Sequence, residues 1–167
     1  GLTDLIKPRL ADGLAAITPA DRIDTVVVAG MGGTLIAEIL ERGKDRLQGV
    51  RRLVLQPNVG EGRLRRWLMD NRYQIMAEQI VAEDDHIYEI IVAEPSVVSF
   101  RYSDYELMFG PRLLEKKGPV FTAKWRDYIK RQQGVIHQME QAQKVPVARI
   151  AELKQKLALV AEAIDDD

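Results

Sequence analysis

Thr25-Val26-Val27-Val28-Ala29-Gly30-Met31-Gly32-Gly33-Thr34-Leu35-Ile36-Ala37-Glu38-Ile39-Leu40 is the stretch that decides the fold. Val26 to Ala29 are four consecutive apolar residues, three of them β-branched, which predicts a strand buried on both faces. Glycines at 30, 32 and 33 interrupt it, and Leu35, Ile36, Ile39 and Leu40 then recur at helical spacing. Strand, glycine turn and helix make the βα unit of an open parallel sheet. Such sheets bind ligands at the carboxyl ends of their strands, where these glycines lie.

Composition bounds the rest. The chain of 167 residues suffices for one domain and an appendage. It has no cysteine, which rules out disulfides and thiolate zinc sites and fits a reducing, cytoplasmic setting. No apolar run approaches the ~20 residues that span a bilayer, and no signal-peptide pattern opens the sequence. Neither a membrane nor a metal partner is expected. A net charge of -1 excludes a histone-like polycation but not local basic patches.

Working outward, residues 1–95 alternate strands with helices. Ile6 to Leu10 is a short strand candidate despite Pro8, and Asp24 to Ala29 is the strong strand. Gly33 to Arg42 predicts a helix ending near Gly43, and Arg52 to Leu55 a strand stopped by Pro57. Gly62 to Asn71 predicts a helix with Leu64, Trp67 and Leu68 on one face. Tyr73 to Ala82 and Ile87 to Ala93 are β-rich and joined by Glu83-Asp84-Asp85-His86, which predicts an antiparallel hairpin. Residues 96–167 form the second part. Phe121, Trp125, Tyr128, Gln132, Val135, Met139 and Ala142 follow a heptad stripe. Val145-Pro146 breaks it, with Pro146 suited to the first turn of a new helix. Ile150, Leu153, Leu157, Val160 and Ile164 continue on that helix, which predicts an antiparallel helical hairpin of coiled-coil type with a frayed Asp165-Asp166-Asp167 end. An open α/β sheet normally carries an earlier βα unit with its own glycine turn. Gly1 to Leu10 has room for one strand, so either the sheet is small or an N-terminal half is missing from this chain.

Several polar turns are candidate sites. Gly30-Met31-Gly32-Gly33 can let a ligand approach the backbone, although Leu35 stands where a dinucleotide fingerprint needs its last glycine. Asp12-Gly13-Leu14 places a carboxylate after a strand candidate, where it can accept from an amine or ribose hydroxyl, or merely cap a helix. Gln56-Pro57-Asn58 offers two amides able to read a base edge, or a plain strand-ending turn. The acidic hairpin link can bind metal, steer a cationic cofactor or be a plain solvated turn, while nothing around His137 suggests metal ligation or catalysis. Basic residues gather at Arg51, Arg52, Arg63, Arg65, Arg66 and Arg72, and again at Arg112, Lys116, Lys117, Lys124, Arg126, Lys130 and Arg131. They can neutralise phosphates or form solvated helix faces.

Arg9-Leu-Ala-Asp-Gly-Leu14, Val28-Ala-Gly-Met-Gly-Gly33, Leu55-Gln-Pro-Asn58, Arg66-Trp-Leu68, Glu83-Asp-Asp85 with Tyr88-Glu-Ile90, and Phe109-Gly-Pro111 occur in that order. The series resembles the bacterial tRNA adenine-22 N1-methyltransferase family, the TrmK type, over nearly the whole chain. The resemblance implies a Rossmann-like class I methyltransferase sheet that binds S-adenosylmethionine, followed by a helical domain that helps hold tRNA. It implies cofactor contacts from Asp12, Gly13 and Leu14 and from Gly30, Met31 and Gly32. Asn58, Gly30 and Met31 would lie at the reacting centre. Arg63, Arg66, Lys116, Lys117, Lys124, Lys130 and Arg131 are the residues expected on the RNA. Because family members carry an earlier acidic, glycine-containing cofactor motif, the resemblance implies an N-terminally shortened form, and this chain alone is expected to bind cofactor poorly and to transfer no methyl group. Two other classes compete: a methyltransferase for another RNA or a small molecule, and a non-enzymatic module that assembles through its helical hairpin.

Overall fold

A computed structural model describes residues 5–165 of the chain. Four strands form one sheet: β1 (Thr25–Met31), β2 (Arg52–Pro57), β3 (Tyr73–Glu83) and β4 (His86–Pro95), in the order β1-β2-β4-β3. β1 and β2 are parallel, with Val28 opposite Leu55, while β4 is antiparallel to both β2 and β3. β3 therefore runs with β1 and β2. This is the expected parallel sheet ending in an antiparallel hairpin. Three helices accompany it: α1 (Gly33–Arg42), α2 (Glu61–Asp70) and α3 (Asp104–Phe109). Ile36 and Leu40 of α1 and Leu64 and Leu68 of α2 are fully buried in one core with Leu53, Leu55, Ile75 and Ile91 of the sheet. Helical spacing on one side and alternation on the other thus bury the same apolar set.

Several expectations need correction. The strand expected over Ile6 to Leu10 does not form; those residues are irregular and exposed, as Pro8 and the lack of alternation favour. β1 is buried on one face only: Val26 packs in the core with α1 and α2, but Val27, pointing to the opposite face, is 66% exposed. The hairpin link is shorter than expected. Asp84 and Asp85, with φ of 46° and 61°, alone join β3 to β4, the left-handed pair that matches strand twist in a two-residue turn. Pro146 precedes its helix rather than entering it, and its carbonyl accepts from the Ile150 N–H. Asp165 is the last residue of that helix, and the rest of the expected frayed end lies outside the described residues.

The chain divides into compact units Gly1–Glu115 and Lys116–Asp167, later than the break expected after residue 95. The cause is α3. Ser103 Oγ accepts from the Glu106 N–H at 3.2 Å while Glu106 accepts from the Ser103 N–H at 2.7 Å, a reciprocal cap that starts the helix. Leu107 and Phe109 are then buried, and the Leu107 and Met108 carbonyls of this helix accept from Arg65. The second unit holds α4 (Pro119–Glu140) and α5 (Val147–Asp165) as the expected antiparallel pair. Ile136 packs with Ile150 and Leu153, and Lys156 lies over the Tyr128 ring at 5.5 Å. The buried seam takes Ile136 in place of Val135, which is 37% exposed. A straight helix of 3.6 residues per turn drifts off a strict heptad, and the seam follows that drift.

Arg65 is the unexpected centre of the first unit. It lies on the inner face of α2 with its side chain fully buried. Its Nε donates to Glu78 Oε1 at 2.6 Å, its Nη2 to Glu89, and its Nη1 to the carbonyls of Leu107 and Met108 at 3.2 and 3.3 Å. Glu78 Oε2 accepts from the Arg112 N–H at 2.9 Å. Burial alone would pull the guanidinium pKa down, but the two carboxylates more than offset it and hold it above its ordinary value. One side chain thus joins α2, both hairpin strands and the last turn of α3.

Arg65→Ala leaves two buried carboxylates without their cation and should cost about 3–5 kcal/mol. Urea denaturation of the variant checks this, and a midpoint within error of the parent would contradict it. The turn after β1 imposes a second constraint. A Cβ on Gly33 would stand 2.3 Å from the Gly60 carbonyl oxygen, against backbone that has no freedom to retreat. Gly33→Ala should therefore reach the upper end of overpacking costs, about 3 kcal/mol. Gly30→Ala meets no atom within 4 Å but carries a φ of 77°, and should cost about 1 kcal/mol. The reverse order in the same urea series would contradict the close approach.

Candidate active site

The carboxyl ends of β1 and β2 are tied together by their own loops. Pairing runs regularly to Ala29 opposite Gln56, then skips Gly30, so that Met31 stands opposite Pro57. Gly30, at positive φ, is the extra residue of this bulge. Its N–H donates to Gln56 Oε1 at 2.9 Å. The Asn58 N–H donates to the Met31 carbonyl at 2.8 Å, and the Gly33 N–H donates to the Val59 carbonyl at 2.7 Å. Gln56 Nε2 in turn donates to Asn58 Oδ1 at 3.1 Å. Gly32 and Gly60 then cap α1 and α2, so two helix N-termini flank the stitched loops.

What faces outward is a mixed surface. Gly30 and Asn58 are exposed. Met31 is 39% and Val59 67% exposed, and Leu35 stands open beside them. A Cβ on Gly32 would meet Val59 Cγ2 at 3.8 Å, so this apolar lip is continuous across the two loops. Bare backbone at Gly30, one amide side chain at Asn58 and apolar side chains around them suit a flat, polar-edged ring such as a base.

The other expected cofactor residues lie elsewhere. Asp12 precedes the short turn Gly13–Ala16 and its side chain accepts no cap bond; its carboxylate accepts instead from Arg42 Nη1 at 3.2 Å. A Cβ on Gly13 would touch Ile39 Cγ2 at 3.0 Å. Both contacts are to the last turn of α1, roughly 15 Å of helix from the Gly30 turn. Leu14 is 7% exposed and packs in the core, so only its backbone can meet a ligand. Asp12, Gly13, Ile39, Arg42 and Arg46 do line a cavity of about 280 Å³, large enough for part of a ligand. The structure brings Gly30, Met31, Gly32, Gln56 and Asn58 together and leaves Asp12, Gly13 and Leu14 apart from them.

The basic clusters also resolve. Arg65 is buried, Arg52 pairs with Glu94 at 2.6 Å and Arg51 with Asp24 at 3.3 Å, so the first cluster offers less charge than its sequence suggests. Arg66 meets Asp104 at 2.5 Å and Arg131 meets Asp127 at 2.9 Å, both as exposed pairs that solvent screens. Lys124 lies over the Trp125 ring at 5.4 Å. Arg63 is exposed on α2, and Lys130 on α4. The acidic hairpin tip runs past the end of β2 by roughly 10 Å, or three residues, and so stands clear of the stitched loops. Among the described residues no cluster of His, Asp and Glu could hold a metal, and no helix is long and apolar enough to cross a membrane. Sequence reasoning missed Gln56 as the bridge between the loops. Its signal was the amide pair Gln56 and Asn58 set two apart at a strand end.

Comparison with known proteins agrees with this geometry. The TrmK family, described as tRNA (adenine(22)-N(1))-methyltransferase, matches residues 1–162. The chain is 38% identical to the tRNA (adenine(22)-N(1))-methyltransferase of Bacillus subtilis, over 99% of its own length and 71% of that protein's. A solved structure from Listeria monocytogenes superposes with a TM-score of 0.92 at 42% identity, covering 98% of this chain and 72% of that one. A Streptococcus pneumoniae putative tRNA (m1A22) methyltransferase in complex with S-adenosyl-L-methionine superposes with a TM-score of 0.88 at 37% identity, covering 98% and 71%. These matches do not establish the shortened form expected from the sequence. With its sheet order, its stitched glycine loops and its helical pair, the chain belongs to the TrmK family of S-adenosylmethionine-dependent tRNA (adenine(22)-N(1))-methyltransferases.

Proposed function

We propose that the protein methylates N1 of an adenine in tRNA, with the target base held at the stitched ends of β1 and β2. The observation that carries this is the mutual locking of the Gly30 and Asn58 loops, which leaves a rigid, partly apolar edge with one amide side chain on it. Bound S-adenosylmethionine supplies a methyl group already activated on a sulfonium. The fit for that donor rests on the open backbone at Gly30 and on the cavity at Asp12 and Arg42, whose carboxylate and guanidinium suit hydroxyl and amine groups.

The protein's own task is positional. Adenine N1 carries an in-plane lone pair, so no strong base is needed to make the nucleophile, and holding it about 3–3.5 Å from the methyl carbon supplies most of the advantage. N1 is engaged in a paired base, so the adenine must leave its stack to reach this edge. Met31, Leu35 and Val59 give its ring an apolar seat, and Asn58 gives it a polar partner. Arg63, Arg66, Lys116, Lys117, Lys124, Lys130 and Arg131 are the phosphate contacts of this reading, consistent with recognition of RNA by shape and backbone.

The natural protein, incubated with labelled S-adenosylmethionine and unmodified tRNA, should yield labelled N1-methyladenosine after digestion to nucleosides. Cofactor binding in calorimetry with no label in RNA would show that the substrate is another one. Asn58→Ala should lower kcat/KM for tRNA on the order of tenfold while leaving cofactor affinity nearly unchanged; equal loss of both would remove its role on the base. With about six phosphate contacts, tRNA affinity should fall on the order of 10³-fold between ~50 and ~200 mM salt. A flat salt response would dismiss the basic residues as RNA contacts.

A further inference from the structure

The chain of amide hydrogen bonds at the site has a fixed polarity. The Gly30 backbone N–H can only donate, so the end of Gln56 that faces it, at 2.9 Å, is its oxygen. The Gln56 NH2 group must then face Asn58, and what it meets at 3.1 Å is Asn58 Oδ1. A backbone group thereby sets the orientation of two side-chain amides that would otherwise be free to flip. Asn58 is exposed, and its unengaged atoms are the two N–H donors of Nδ2 and the second lone pair of Oδ1.

The reaction proposed above demands that N1 keep its lone pair free. A donor placed on N1 would block the atom that must attack. The adenine therefore has to be read from another edge, and an amide pairs with the N6 and N7 atoms of adenine through two hydrogen bonds. We infer that Asn58 reads the Hoogsteen edge of the target adenine, donating from Nδ2 to N7 and accepting at Oδ1 from the N6 amine, and that Gln56 is the positioning residue that fixes this polarity. This inference rests on the proposed function. It also explains selection against guanine at the site. Guanine presents O6 and N7 as two acceptors on that edge, so O6 would be set against the Asn58 oxygen with no proton between them.

The test compares two tRNAs whose melting curves match, one with adenosine and one with 7-deazaadenosine at the target position. The second lacks only the N7 acceptor. With the natural protein, KM for the 7-deaza tRNA should rise about tenfold to a hundredfold with kcat little changed, and direct binding of the RNA should weaken in parallel. In Asn58→Ala the two tRNAs should bind alike. Gln56→Glu retains an oxygen for the Gly30 N–H but turns its second oxygen toward Asn58, which must flip to donate to it. The N7 penalty should then vanish in Gln56→Glu while cofactor affinity and thermal stability stay close to the parent. Equal KM and equal affinity for the two tRNAs, with normal methylation of the adenosine form, would overturn the inference alone. A full N7 penalty retained in Gln56→Glu would overturn the role of Gln56. Failure to bind or methylate either tRNA would overturn the proposed function, and this inference with it.

Discussion

The site depends on how closely the β1–α1 and β2–α2 loops approach one another. Gly33 lies against the Gly60 carbonyl with no space for a side chain, and the hydrogen bond from its own N–H to Val59 requires that proximity. Two further bonds, from Gly30 to Gln56 and from Asn58 to Met31, lock the remaining backbone. Loops in open α/β sheets are usually the mobile part of the molecule. Here they are cross-linked, and the Asn58 amide is held through the Gln56 side chain, which the Gly30 N–H fixes in turn. A reaction whose nucleophile needs no activation gains chiefly from such placement.

The second constraint lies behind the first. Arg65 holds α2 against the β3–β4 hairpin through Glu78 and Glu89, and draws in the last turn of α3 through two carbonyls. A buried ion cluster of this kind is weak as a source of stability relative to apolar packing, yet costly to break. Every donor of Arg65 described above has a partner, and both carboxylates are spoken for. α2 starts at Gly60, so its position, and with it that of the Asn58 loop, is fixed from both ends: by the glycine contact at the site and by Arg65 one turn further on.

Much of this was legible in the sequence because periodicity reports burial directly. The spacing of Leu35, Ile36, Ile39 and Leu40 placed α1, the valine run placed β1, and the stripes beyond residue 119 placed the helical pair. The errors have physical causes. A valine run reads as doubly buried only if neighbours cover both faces, and among the described residues only the Val26 face of β1 is covered. A heptad is an idealisation, so the seam takes Ile136 in place of Val135. α3 has only 6 residues, too few for a helical repeat to show, although the Ser103-to-Glu106 cap was readable. Arg65 could not be found, since an arginine among Leu64, Leu68 and Met69 reads as a solvated residue until its two carboxylates appear across the hairpin. At the site, the Gly30 turn and Asn58 were visible as motifs. Gln56 was not seen as their bridge, because the bond depends on a bulge that only the strand register reveals.

The most direct test of the account is where the target base sits. A tRNA carrying a photoreactive 8-azidoadenosine at the methylated position would be cross-linked to the natural protein and the attached peptide identified by mass spectrometry. Attachment at Met31, Leu35 or Val59 is the predicted result, because these side chains form the lip around Asn58. Attachment confined to the Asp12–Leu14 turn or to residues beyond Lys116 would contradict it, and would place the reaction away from the stitched loops.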